Sequence, residues 1–153
     1  MTTQPATPLS ELNPVGAIYP FAERFRVATA STTSTDFWNI PAKTIITMVL
    51  VRVVTAPVDA GGSNIIVGDD DDDNGYILAA SICCGVTAGT IYGDAIEERG
   101  AYLNDVGGTA IATHAGKWKT YESAGTEMSI ALSAAVDTEG VVDVFVFGYR
   151  YTG

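Results

Sequence analysis

The sequence predicts an all-β protein: an antiparallel β-sandwich or jelly roll of roughly eight strands, preceded by an extended N-terminal arm. Three observations predict it. Short apolar stretches rich in β-branched residues recur between turn signals, and none has the length and period of a helix. The last stretch, GVVDVFVFGYRY at residues 140–151, is apolar on both faces. The chain has 153 residues, 47% hydrophobic and only 17% charged. That is enough for one domain with a core that needs no disulfide or metal staple.

Each element follows in order. Residues 1–22 carry Pro5, Pro8, Pro14 and Pro20. Proline fixes φ, removes a donor and pushes the preceding residue to extended conformations, so this segment reads as an arm. Its Leu9, Leu12, Val15, Ile18, Tyr19 and Phe21 give it more apolar surface than a solvated tail needs, which suits docking on its own body or a neighbour's. The sandwich domain then spans residues 23–153. A first strand is expected at 23–30, with Phe25 and Val27 on one face and Arg24 and Arg26 on the other. Residues 37–41 end in Pro41 and read as a connection. Residues 43–55 form the strongest strand, dense in Ile, Val and Thr. A short strand at 63–67 runs into an acidic loop. Residues 76–82 fit a strand or a helical turn. Further strands are expected near 90–92 and 101–103. A hairpin is expected over 109–121, turning at His114-Ala115-Gly116. Met128, Ile130 and Leu132 alternate with small polar residues as a half-buried strand.

In the last strand Val142, Val144 and Val146 point one way. Val141, Phe145, Phe147, Tyr149 and Tyr151 point the other, with Asp143 the charged exception. A strand with one wet face alternates apolar and polar residues. This one therefore lies between two layers or turns a face to another chain.

The net charge is −10, and only eight residues are Lys or Arg. Phosphate binding needs clustered cations, so no nucleic-acid partner is expected. Lys117 and Lys119, a local basic pair, read as a solvated strand face. Residues 1–22 lack a basic and apolar leader pattern. The longest apolar run, 45–54, is interrupted by Thr47 and Arg52 and is too short to span a bilayer. The expectation is a soluble protein made in a cytoplasm, with no membrane partner. Cys83 and Cys84 are adjacent, and a bond between them would close no useful loop, so both read as buried thiols.

Candidate chemistry is sparse. The run Asp69 to Asp73 is followed by Asn74-Gly75. Against a calcium loop, Asp70, Asp72 and Asn74 fall at the first, third and fifth positions, but Ser81 stands where a bidentate Glu is required. The ordinary reading is a solvated turn in which Asn-Gly supplies positive φ. The single histidine, His114, is the obligatory base of any Ser-His-Asp triad, and it sits in a turn. Glu97 and Glu98 as a carboxylate pair for glycoside cleavage would point apart on a strand. Trp118 and Tyr121 are candidates for stacking a sugar, which would suit a glycan- or receptor-binding tail-fibre tip. No enzyme activity, cofactor or resident metal is expected.

Several segments together resemble a group of small tailed-bacteriophage virion proteins. They are Ile40-Pro41-Ala42-Lys43 leading into 45–54; Ile65-Ile66-Val67-Gly68-Asp69 running through the acid turn to Gly75-Tyr76-Ile77; Gly89-Thr90-Ile91-Tyr92; and the closing strands at 126–134 and 141–151. The resemblance covers roughly residues 38–152 and implies a jelly-roll-like capsid decoration or cement protein. Such proteins commonly act as homotrimers on the outer surface of the virion, bridging neighbouring major capsid protein subunits. The long Asp run and the Cys83-Cys84 pair depart from the pattern. On this reading the assembly contacts are Leu9, Leu12, Ile18, Tyr19 and Phe21 in the arm and Phe145, Phe147, Tyr149 and Tyr151 in the last strand.

Overall fold

A computed structural model describes residues 16–29, 34–58, 62–103 and 118–152. Nine strands are named among them: β1 (Ile18–Thr29), β2 (Thr35–Asn39), β3 (Thr44–Thr55), β4 (Asn64–Asp69), β5 (Asp72–Ile82), β6 (Ile91–Tyr92), β7 (Lys119–Tyr121), β8 (Glu127–Leu132) and β9 (Gly140–Tyr151). One sheet has the order β1-β9-β3-β6, with β7 also pairing β3. The other has the order β2-β8-β4-β5, and every pairing is antiparallel. The chain crosses repeatedly between the two sheets, staying within one only from β4 to β5 and from β6 to β7, and the last strand slots between the first and the third. This is the strand order of a jelly roll, with β7 added beside β6. The expected antiparallel β-sandwich is what forms.

The core lies between the sheets. Val142, Val144 and Val146 of β9 and Ile46, Val49, Val51 and Val53 of β3 meet Ile65, Val67, Tyr76, Ile77, Met128, Ile130 and Leu132 from the second sheet. The period of two puts the β9 and β8 residues on inner faces. The register irregularities in β3 and in the β4–β5 pair change which residues face inward there, and β-branched side chains pack well on that pleated surface. The turn before β3 uses Lys43 at a φ of 60°, and Thr44 Oγ1 donates to the Pro41 carbonyl at 2.7 Å.

Several expectations move. β1 begins at Ile18, so residues 18–22, read as arm, form the first half of a strand laddered to β9. Residues 35–39 form β2 rather than a connection, because Phe37 and Trp38 pack on Phe25 across the sandwich. Residues 101–103 form a turn, not a strand, held by Tyr102 N–H donating to the Gly75 carbonyl at 2.9 Å. The acidic run is less of a loop than expected, since Asp69 ends β4, pairs with Asp72 and leaves only Asp70 and Asp71 in the turn. Gly75 is not a positive-φ turn residue; it lies inside β5. A Cβ there would come within 2.1 Å of the Tyr102 ring, so glycine makes room for that ring. His114, Leu9, Leu12 and the first half of the expected hairpin lie outside the described residues.

Candidate assembly interface

Register decides which side chains share the outer face of the first sheet. Phe145 sits between Arg24 of β1 and Leu50 of β3, Phe147 between Ala22 and Met48, and Tyr149 between Pro20 and Ile45. Ile18 pairs with Tyr151 at the end of the ladder. Phe145, Phe147, Leu50, Met48 and Ile45 are half-buried, and Ile18, Pro20, Ala22 and Tyr149 are exposed. The result is an apolar stripe on the side away from the core, three strands wide at the Phe147 and Tyr149 rows and two at Phe145, where β1 carries exposed Arg24. An edge of charge bounds it: Arg26 Nε and Arg52 Nη2 each lie 2.8 Å from the Asp143 carboxylate. The Arg26 hydrogen bond is the main force holding the Asp143 carboxyl down at about 2, against a smaller opposing effect of burial and with help from Arg52.

The structure brings together five of the expected contact residues: Ile18, Phe145, Phe147, Tyr149 and Tyr151. Tyr151 is half-buried and donates its hydroxyl to Glu122 Oε1 at 2.6 Å. Tyr19 and Phe21 alternate to the other side of β1. Tyr19 is exposed there. Phe21 packs inward, its ring centroid 5.9 Å from that of Trp38, with the Arg150 guanidinium 4.9 Å above it. Phe21 is therefore separated from the stripe by the alternation of the strand.

A second constellation lies between the sheets, where the sequence suggested only solvated charge. The Asp69 side chain has no exposed surface and that of Lys119 is 5% exposed. Lys119 Nζ donates to Asp69 Oδ2 at 2.6 Å, to Asp71 Oδ2 at 2.9 Å and to the Tyr102 hydroxyl oxygen at 2.8 Å. The Tyr102 hydroxyl donates to Asp69 Oδ1 at 2.9 Å, and the Tyr121 hydroxyl donates to Asp69 Oδ2. The backbone N–H groups of Asp71 and Asp72 also donate to Asp69 Oδ1, at 3.0 and 3.2 Å. Tyr76 and Tyr121 share a hydroxyl–hydroxyl hydrogen bond behind them. Burial alone would raise the Asp69 carboxyl, but the hydrogen bonds from Lys119 and Tyr121 outweigh it and hold it below the ordinary range. Burial likewise pushes the Tyr76, Tyr102 and Tyr121 hydroxyls up.

The expected solvated face for Lys119 is thus corrected. Lys119 and Tyr121 share the inner face of β7, opposite Ile46 and Thr44. Aromatic residues stand at both 118 and 121, on opposite faces of the strand, so the sequence alone does not mark which face is buried. The same burial removes Tyr121 as a sugar platform: it is 5% exposed, against 53% for Trp118. The calcium-loop reading of Asp70, Asp72 and Asn74 does not hold either. The segment is a β-hairpin in which Asp70 Oδ2 accepts from Glu127 N–H and Asp72 Oδ1 from Asn74 N–H. Among the described residues no group of three His, Cys, Asp or Glu side chains converges as a metal site. Glu98 is occupied in accepting from Gly93 N–H at 2.7 Å. Cys83 is buried and donates its thiol to the Ser63 carbonyl at 3.2 Å, while Cys84 is half-buried.

No family model and no curated protein matches this chain. Solved structures do. A chain in the capsid asymmetric unit of cyanophage Pam1 is 17% identical and superposes with a TM-score of 0.58, over 100% of this chain and 94% of that one. A chain in the acid-stable capsid of the Helicobacter pylori bacteriophage KHP30 is 11% identical with a TM-score of 0.46, over 86% of this chain and 93% of that one. The likeness to the cyanophage chain is one of fold, and it runs the length of the sandwich.

Proposed function

We propose that this chain is a non-enzymatic structural protein of a bacteriophage virion. In this reading it is a capsid decoration or cement protein that binds the outer capsid surface as a homotrimer and bridges major capsid protein subunits. The observation that carries the reading is the apolar outer face of the β1-β9-β3 sheet. Interface cores are depleted in charge, and a stripe built from Phe145, Phe147, Tyr149, Leu50 and Met48 has that character in a chain of net charge −10. The shared fold with a chain of a cyanophage capsid supports the virion setting. Ile18, Phe145, Phe147 and Tyr149 would meet the partner, with Tyr151 at the rim. Leu9 and Leu12 would extend the contact from the arm. Repetition over a symmetric particle makes modest single contacts sufficient.

The test is light scattering of the purified protein, followed by sedimentation with expanded empty phage heads. A stable trimer that travels with the heads is the expected result. A monomer, or a trimer that stays in the supernatant, would count against the proposal.

A further inference from the structure

The Asp69–Lys119 pair is surrounded asymmetrically. Its two oxygens have different surroundings. Oδ1 receives the backbone N–H groups of Asp71 and Asp72 and the Tyr102 hydroxyl. Oδ2 receives Lys119 Nζ and the Tyr121 hydroxyl. The amine has its own acceptor, Asp71 Oδ2 at 2.9 Å, on a side chain that is 75% exposed and so reaches solvent. A nucleophile, an electrophilic carbon, a set of donors on one oxygen and a proton acceptor on the amine are the parts that acyl transfer needs.

We propose that Lys119 and Asp69 react with each other to form an isopeptide bond, without any added catalyst or cofactor. One proton passes from Lys119 Nζ to Asp69 Oδ2 along their hydrogen bond, giving a neutral amine and a carboxylic acid. That transfer removes two charges from side chains that are 5% exposed or less, where an ion pair is costly to desolvate. The Nζ lone pair then attacks Asp69 Cγ, and negative charge gathers on Oδ1. The donors that hold the Asp69 carboxylate also meet this charge. Asp71 takes a second proton from Nζ and delivers it to Oδ2, which hydrogen-bonds to Tyr121 and leaves as water when the C–N amide bond is complete. One ammonium and one carboxylate become one amide and one water, Asp71 is regenerated, and no oxidant is used. The fold brings the reacting groups together from positions 50 residues apart, which gives the reaction its high effective concentration.

The bond would join the end of β4 in one sheet to the start of β7 in the other. It would therefore staple the two layers of the sandwich, constraining the unfolded chain as a disulfide does but with no dependence on redox conditions.

Intact mass under denaturing conditions tests this directly. The full-length protein, incubated folded at neutral pH, should be one water lighter than its sequence. Digestion should yield a branched peptide joining the Lys119 and Asp69 side chains. Lys119→Arg should keep the full sequence mass, and Asp71→Asn should lose water more slowly over a time course. A wild-type mass at the full sequence value overturns the proposal, and so does the same loss of water in Lys119→Arg. The wild-type measurement does not depend on whether any variant folds, nor on whether the protein binds capsids.

Discussion

Asp69 and Asp143 are both carboxylates with fully covered side chains and cationic partners, yet their neighbours give them different weight. The guanidiniums beside Asp143 are open to water, with side-chain exposures of 55% for Arg26 and 43% for Arg52. If the carboxylate is removed, both arginines can hydrate. Lys119 has less of an escape, because its side chain is 5% exposed and, without Asp69, its ammonium keeps only the Tyr102 hydroxyl and the single outer carboxylate of Asp71. Breaking a buried pair by deleting one partner strands the other charge and typically costs about 3–5 kcal/mol. Asp69→Ala is therefore expected to lower unfolding free energy by at least about 3 kcal/mol in urea titration. Asp143→Ala should shift the midpoint much less. Equal shifts would mean that Lys119 is hydrated in solution. Tyr121 belongs to the same unit, because its hydroxyl serves Asp69 and shares a hydrogen bond with Tyr76.

At the level of elements, β9 is the piece on which the first sheet depends, since it is laddered to β1 on one side and β3 on the other. At Gly148 the β3 backbone comes close. A Cβ at that position would stand 1.9 Å from the Ile45 carbonyl oxygen, next to the irregularity between Ile46 and Met48. Backbone cannot swing aside as a flexible side chain can. Gly148→Ala should therefore destabilise by about 2 kcal/mol or more, in the range of severe core changes. Thermal melts check this, and a midpoint unchanged from wild type would show that the register relaxes. β9 and β3 were legible in the sequence because their apolar residues are dense and β-branched, so local preference and burial agree. β2 was not, because Thr35 to Asn39 is short, is followed by Pro41 and owes its place to Phe25 on the facing sheet. Residues 101–103 misled in the opposite direction: their apolar pattern serves to seat the Tyr102 ring on Gly75, not to extend a ladder. The stripe of Phe145, Phe147 and Tyr149 could be read from alternation alone. The Asp69 centre could not, because it gathers residues from β4, β7 and the turn after Gly100, and a run of aspartates looks solvated until one of them is found at the end of a buried strand.

For the whole molecule, the two-sided character of β9 separates two jobs that most strands combine. Its inner valines hold the sheets together, and its outer aromatics cover little of the protein's own core. Changing the outer set should therefore damage assembly without unfolding the domain. The variant Phe145→Ser/Phe147→Ser removes two half-buried rings whose neighbours are Arg24, Leu50, Ala22 and Met48 on the same face. Cross-strand contacts of this kind contribute about 0.2–1 kcal/mol each, so the variant should remain folded. An inner change such as Ile46→Ala deletes fully buried volume and should cost about 2–5 kcal/mol. The proposed function then requires opposite outcomes in the two assays. The double serine variant should keep most of its urea stability and fail to sediment with phage heads. Ile46→Ala should lose stability but decorate heads with whatever fraction stays folded. If the double serine variant binds heads as well as wild type, the outer face of β1-β9-β3 is not the contact surface, and the capsid would have to be met through another part of the sandwich.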